Sequence, residues 1–180
     1  MNIILSITLS LLLTILAYIK KALTTNALLC AFIFACLITY FGGFISYLIL
    51  VLVFLGTLIG SKIGAAKRIQ INHDIIKKPH KKDTYQILAN VGLGTFFIII
   101  YGLTNNIIYL IIYASIMAES LSDSLASDIG VLSKKPPINI LTFKKSIKGL
   151  SGNISLLGIC SSLIGSLIIS SIFFIIIIFI

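Results

Sequence analysis

Three of the five acidic residues in this 180-residue chain, Glu119, Asp123 and Asp128, fall close together in a mostly apolar stretch. Glu119 and Asp123 are four residues apart and share a helix face. Asp128 lies near the opposite face of an ideal helix, so either the helix breaks between Ser124 and Ser127 or Asp128 meets a different partner. An ionisable side chain within a membrane span is costly and marks a candidate functional site. Carboxylates near basic residues suit Mg²⁺ held together with substrate phosphates, and the alternative is a structural ion pair with a loop lysine.

Two further polar groups have residue types that bind phosphate or a polar substrate. Gln86 and Asn90 are four residues apart, so both amides lie on one helix face, where they could bond a substrate or another helix. Ser151, Gly152 and Asn153 open a predicted helix just after a lysine-rich segment. The free N–H groups at such a helix start bind phosphate, whereas the alternative is an ordinary cap by a serine or asparagine side chain.

The apolar runs that hold these residues are long enough to be membrane-spanning helices. The chain is 58% hydrophobic with a mean hydropathy of +1.14, more apolar surface than a soluble domain of this size could bury. Lipid offers backbone groups no hydrogen-bond partners, so runs of about 20 apolar residues predict helices. We predict an all-α transmembrane bundle, a single domain over residues 1–180, with about six spans at 2–19, 23–41, 44–60, 85–102, 106–130 and 152–180.

The 14 basic residues predict how this bundle sits in the membrane. All of them fall after span 1, between spans 3 and 4, or between spans 5 and 6, and these three segments share one side of a six-span protein. By the positive-inside rule that side is the cytoplasm, and both termini lie outside. The net charge of +9 then favours anionic lipid and an anionic substrate as partners, with no nucleic acid. Abundant Ile, Lys and Asn are typical of an AT-rich prokaryotic genome, so we expect a prokaryotic plasma membrane.

Glycine spacing predicts where two helices approach closely. Gly56, Gly60 and Gly64 follow one another at four-residue intervals, which places a stripe of small residues on one face of span 3. Such a stripe lets a neighbouring helix pack closely in a membrane. This is a packing feature and implies no catalytic role.

Four segments, in order along the chain, resemble a family of integral membrane proteins that includes the plant phytyl-phosphate kinase and human transmembrane protein nineteen. The third segment, Lys82-Asp83-Thr84-Tyr85-Gln86-Ile87-Leu88-Ala89-Asn90, is similar to the family pattern Arg-Asp-x-x-Gln-Val-x-Ala-Asn. The fourth, Asp123-Ser124-Leu125-Ala126-Ser127-Asp128-Ile129-Gly130, is similar to Asp-Thr-x-Ala-Ser-Glu-x-Gly and continues into a glycine-rich stretch over 149–158. The first segment is Lys20–Thr24, followed later by Gly42-Gly43. The second segment is Ser61–Gly64 together with Lys67.

The resemblance implies a kinase whose active side faces the cytoplasm. It would transfer a phosphoryl group from a nucleoside triphosphate, with CTP as one candidate, to a prenyl monophosphate such as phytyl or geranylgeranyl phosphate, giving the diphosphate. The implied roles are metal binding by the span 5 acids, with Asp123, Asp128 and Lys82 catalytic, and substrate or nucleotide binding at the other matched positions. These are Lys67, Asp83, Gln86, Asn90, Ser151, Gly152 and Asn153. On this basis Asp123→Asn is expected to abolish transfer.

The chain departs from the family pattern in three places. Asp128 stands where the family usually has Glu, and Lys82 replaces Arg and so loses its bidentate geometry. Longer relatives also have a further Asp-Ser-x-x-Gly-Ala stretch that this chain lacks, and the sequence leaves open whether transfer needs it. Two other functions remain in competition: a transporter or flippase for a lipid phosphate, since intramembrane acids also line transport pathways, and a non-catalytic membrane protein. Oligomeric state is also left open.

Overall fold

The computed structural model describes residues 2–72, 81–148, 150 and 152–178, with the side chains of 64–72 outside that description. The prediction of an all-α membrane bundle is confirmed. Four helices in the described part are long and apolar enough to cross a membrane: Thr25–Ile63, Thr84–Thr104, Ile107–Gly130 and Leu156–Ile178. The elements in chain order are α1 (Ile3–Ile19), α2 (Thr25–Asn72), α3 (Thr84–Ile87), a π-helical turn (Leu88–Gly92), α4 (Leu93–Thr104), α5 (Ile107–Gly130), β1 (Ile138–Asn139), β2 (Asn153–Ile154) and α6 (Leu156–Ile178).

Helix α2 reverses direction at Gly43. This residue has φ 69° and ψ −165°, a conformation that glycine adopts far more readily than other residues. A straight helix over Thr25–Ile63 would be about 58 Å long, roughly twice the thickness of the hydrocarbon core. Ala35 before the break and Leu50 after it belong to the same buried cluster, so the two arms pack side by side.

The predicted spans 23–41 and 44–60 are therefore the two arms of α2. The count of about six spans requires counting both arms and also α1, which has only 17 residues, and it stays a prediction. The predicted end of span 3 at residue 60 was too early, because α2 continues to Asn72. Good helix formers such as Ala65, Ala66 and Lys67 extend the helix beyond the apolar run.

Short polar side chains set the other helix boundaries. Asn2, Asp83 and Asn106 each accept a hydrogen bond from a backbone N–H in the first turn of α1, α3 and α5. Asn105 ends α4 in a left-handed conformation, which asparagine tolerates well. The predicted start of span 6 at residue 152 was wrong: β1 and β2 pair antiparallel, and α6 begins only at Leu156.

Helix α5 lies at the centre of the bundle. Its residues Tyr113, Met117 and Leu121 are almost completely buried and share one apolar cluster with side chains from both arms of α2, α4 and α6. The Tyr113 hydroxyl donates to the Ser46 carbonyl at 2.8 Å, which satisfies the polar end of this buried ring. Large apolar side chains such as Ile4 and Leu156 are exposed on the outer surface, as expected for helices surrounded by lipid.

Two glycines of the stripe, Gly56 and Gly60, let α2 approach α5 closely, as their spacing predicted, while the surroundings of Gly64 lie outside the described residues. A Cβ added at Gly56 would lie 2.6 Å from Leu121, and one at Gly60 would lie 2.7 Å from Leu125. Gly60 also faces Asp128, with 3.5 Å from the added Cβ to Oδ2. The carboxyl end of α5 therefore lies beside Gly60, at the same end of the bundle as Ser61 and the basic segments that follow α1 and α5. Assignment of this end to the cytoplasm stays a prediction.

Candidate functional site

Two segments that are far apart in the sequence are joined by backbone hydrogen bonds at the charged end of the bundle. The Lys82 N–H donates to the Ala22 carbonyl at 2.9 Å, and the Thr24 N–H donates to the Lys82 carbonyl at 3.1 Å. Together they form a parallel bridge between Leu23 and Lys82. Lys21, with φ 52°, turns the chain from α1 into this bridge. The bridge fixes the backbone of Lys82 beside the connector between α1 and α2.

A cavity of about 300 Å³ opens beside this bridge and extends into the bundle. Lys20, Lys21, Lys62 and Lys82 all line it, and they lie at the charged ends of their elements. The rest of its wall is mainly apolar. The distance from Lys62 back to Leu50 on the second arm of α2 is about 18 Å along the helix axis. Among the described lining residues none is acidic, so the cavity combines a cationic mouth with an apolar interior.

Helix α5 contributes a buried polar stripe next to this cavity. Ser120, Ser124 and Asp128 follow at four-residue intervals and are only 2%, 6% and 7% exposed. The Lys82 Nζ donates to the Ser124 Oγ at 3.3 Å, which ties the lysine side chain to α5. Ser120 also lines the cavity, and its Oγ has no hydrogen-bond partner within the described part of the chain.

The other two predicted metal ligands lie on a different side of α5. Glu119 and Asp123 are exposed, and Ser127 continues the same outer face. The helix does not break between Ser124 and Ser127, so Asp128 points away from the other two acids. No three His, Cys, Asp or Glu side chains in the described residues come together as a metal-binding group. The three acids thus do not form one cluster, and Asp128 alone is buried near the cavity.

Residues of the segment Asp83–Asn90 have different roles, because Asp83 caps a helix and Asn90 lines the cavity. The Asp83 carboxylate accepts from the Gln86 N–H at 2.9 Å and thereby caps α3, a structural role sufficient to explain its presence. Gln86 is half-buried and is not among the cavity-lining residues. Asn90 does line the cavity, and it lies in the π-helical turn, an irregularity frequent at functional sites.

The predicted phosphate cradle at residues 151–153 has a different local structure. Ser151 lies outside the described residues, and Gly152 has φ 79° ahead of strand β2. The Asn153 amide donates to the Ser146 Oγ at 2.9 Å and to the Ile147 carbonyl at 2.7 Å, so it holds the loop together. The start of α6 is capped instead by Ser155, which accepts from the Gly158 N–H at 3.1 Å.

Sequence reasoning named only part of this cavity. It identified Lys82 and Asn90, while the side chain of Lys67 lies outside the described residues. It did not select Lys20, Lys21, Lys62 or Ser120 as site residues. The lysine pair after α1 was visible as part of a family-like segment. By contrast, Ser120 had no signal of its own, because one serine among apolar residues is most often a packing residue.

Comparison with known proteins finds similarity to other membrane proteins. A family model described as "Integral membrane protein DUF92" matches residues 8–180. The chain is 33% identical over 156 residues to the "Uncharacterized membrane protein MJ0933" of Methanocaldococcus jannaschii, which covers 83% of this chain and 61% of that relative. This chain thus spans about three-fifths of the length of that relative. No solved structure matches.

Proposed function

The chain belongs to the integral membrane protein family DUF92, and from this membership and its cavity we propose that it is a membrane kinase for a prenyl monophosphate. The observation that carries the proposal is the pairing of a lysine-lined mouth with an apolar interior in one cavity. A prenyl phosphate has the matching form, an anionic head and an apolar tail. Burying the tail contributes roughly 0.8 kcal/mol per CH₂.

The reaction transfers the terminal phosphoryl group of a nucleoside triphosphate, with CTP as one candidate donor. A phosphate oxygen of the lipid attacks the γ-phosphorus, the bond from the γ-phosphorus to its bridging oxygen breaks, and the nucleoside diphosphate leaves. Such transfer needs positioning and charge neutralisation more than covalent chemistry. Lysine ammonium groups supply both, because they orient phosphate oxygens and stabilise the charge that develops on them. Lys20, Lys21, Lys62 and Lys82 are placed for this at one end of the cavity.

Asp128 fits the way in which proteins hold Mg²⁺ beside phosphates. Magnesium is usually bound by one or two carboxylates together with substrate phosphates and water. Asp128 is a single buried carboxylate against Gly60, one residue from the cavity-lining Ser61. A bound Mg²⁺ would neutralise phosphate charge there, whereas Glu119 and Asp123 face away from that point.

The test is phosphoryl transfer by the purified protein in detergent. Labelled CTP and ATP would be offered with several prenyl monophosphates, with and without Mg²⁺. We expect a Mg²⁺-dependent diphosphate product that falls by about 100-fold in Lys82→Met, since one charge-stabilising group is removed. Lys144→Met is the matched control, because Lys144 is exposed in the loop after α5 and does not line the cavity. Absence of product from a folded protein with every donor and chain length would refute the kinase.

A lipid-phosphate transporter is the second candidate. The helix that lines the cavity through Ile87, Asn90 and Val91 is interrupted by the π-helical turn, and interrupted helices also line transport pathways. The same preparation, reconstituted in vesicles with a labelled prenyl phosphate in one leaflet, separates the two functions. Nucleotide-independent movement between leaflets without diphosphate formation would favour transport.

A further inference from the structure

The described structure contains two buried hydroxyl groups without a hydrogen-bond partner, those of Ser10 and Ser120. Buried polar groups in proteins are nearly always hydrogen-bonded, and an exception calls for an explanation such as a ligand that is not present. Only one of the two is close to the candidate site. Ser120 lines the cavity, whereas Ser10, on α1, is not among the lining residues.

Ser120 lies about halfway along the cavity. Its neighbour Leu121 contacts Gly56, so Ser120 is at the level of Gly56 on the second arm of α2. On that arm, Ser61 near the mouth is about 7.5 Å away along the axis, and Leu50 in the apolar interior is about 9 Å away in the other direction. A hydroxyl at this depth is too far inside to meet a group that stays at the mouth.

Among the lysines that line the cavity, Lys82 is the one whose ammonium group is hydrogen-bonded to α5 near this level. Lys82 Nζ is bonded to Ser124, and Ser124 is one helical turn from Ser120 on the same face of α5. Side chains at this spacing have Cβ atoms about 5–6 Å apart. One phosphate group, with several acceptor oxygens, can therefore accept from a lysine ammonium and a serine hydroxyl arranged in this way.

We propose that Ser120 and Lys82 form an inner phosphate subsite that holds the phosphate of the lipid substrate. The tail lies below it, against Ala35, Leu50 and Val53. The other three lysines that line the cavity, Lys20, Lys21 and Lys62, take the phosphates of the nucleotide. This assignment rests on the proposed kinase function and adds to it the position of each substrate. It also gives the buried Ser120 hydroxyl a partner when the lipid phosphate is bound.

The test compares Ser120→Ala with Ser10→Ala, the other serine whose buried hydroxyl has no partner in the described residues. Affinities for farnesyl monophosphate, farnesol and inorganic phosphate are measured by calorimetry on the full chain in detergent, without nucleotide. We expect Ser120→Ala to weaken farnesyl monophosphate binding about five- to tenfold, as for one lost hydrogen bond, and to leave farnesol binding unchanged. Ser10→Ala should bind all three like the wild type. Inorganic phosphate should bind far more weakly than the lipid.

Thermal melting and kinetics distinguish a ligand contact from a packing role. Both variants should melt at the same temperature as the wild type or higher, because each removes an unpartnered buried hydroxyl. In the transfer assay Ser120→Ala should raise KM for the lipid and leave KM for the nucleotide unchanged. A Ser120→Ala variant that binds farnesyl monophosphate like the wild type, or an equal loss in Ser10→Ala, would overturn the subsite.

The outcomes for subsite and kinase are separable. Serine-dependent binding of the lipid phosphate without transfer from any nucleotide would refute the kinase and support the subsite. Transfer by a Ser120→Ala variant with an unchanged KM for the lipid would support the kinase and refute the subsite. If the wild type binds no prenyl monophosphate of any chain length, both are wrong. If inorganic phosphate binds as tightly as the lipid, the subsite serves free phosphate, and its assignment to the lipid is wrong.

Discussion

Helix α5 has two polar faces with opposite environments. Ser120, Ser124 and Asp128 face the interior, where one serine holds Lys82 and another lines the cavity. Glu119, Asp123 and Ser127 have the same four-residue spacing but are exposed. Spacing thus identifies which side chains share a face, and it does not tell which face points inward. In a helix that is apolar on most sides, packing partners decide that orientation.

The largest expected difference between the two faces is in their acids. Asp128→Asn should lower phosphoryl transfer by about 100- to 1000-fold, because it removes the carboxylate that we propose as the Mg²⁺ ligand, the one buried acid among the described residues. Asp123→Asn should change transfer by no more than about twofold, as is usual for an exposed side chain. The measurement is the initial rate at saturating Mg²⁺, with melting temperatures to show that both variants fold. The sequence predicted a catalytic role for both Asp123 and Asp128, and burial favours Asp128. An inactive Asp123→Asn variant together with an active Asp128→Asn variant would show that the outer acid, and not the buried one, is needed for transfer.

The next-largest expected effect is on protein stability, through the packing of α2 against the inner face of α5. Gly60→Ala should destabilise the protein by about 1–3 kcal/mol, because the added Cβ would lie 2.7 Å from Leu125 and close to Asp128. Gly92→Ala is the control, since its Cβ would meet nothing nearer than 3.9 Å. Thermal unfolding in one detergent measures both. Equal stability of the two variants would show that α2 and α5 are not in contact at Gly60.

A smaller effect is expected where the inner face holds Lys82. Ser124→Ala removes the acceptor of the Lys82 Nζ bond and should weaken lipid-phosphate binding about fivefold, corresponding to about 1 kcal/mol. Ser127→Ala is the matched change on the outer face. Its hydroxyl donates to the carbonyl of Ser124 within the helix at 3.1 Å, so binding should not change. Calorimetry with farnesyl monophosphate provides the comparison, and an equal loss in both variants would mean that the two faces do not differ in function.

Much of the fold was predictable because lipid makes helix formation almost obligatory for long apolar runs. The bounds of α1 and α5, the reversal near Gly43 and the contact made by Gly56 and Gly60 all followed from local sequence. The candidate site was less predictable, because its key side chain depends on a backbone bridge between Leu23 and Lys82, which are far apart in the chain. The inward orientation of Ser120 follows from packing against α2, which a pattern of apolar residues does not encode.

The π-helical turn at Leu88–Gly92 has a consequence for how relatives of this chain diverge. A π-helical turn holds one residue more than an α-helical turn, so deleting a residue such as Ala89 would restore an α-helix from Thr84 to Thr104. The turn absorbs this extra residue locally, so the helix on either side would keep its orientation, with Gly94 against Met117 and the bridge at Ala22 in place. The deletion would change only the turn itself, which contributes Asn90 and Val91 to the cavity wall. A one-residue gap at this position in an evolutionary comparison would therefore mark a change in the cavity wall within an otherwise preserved bundle.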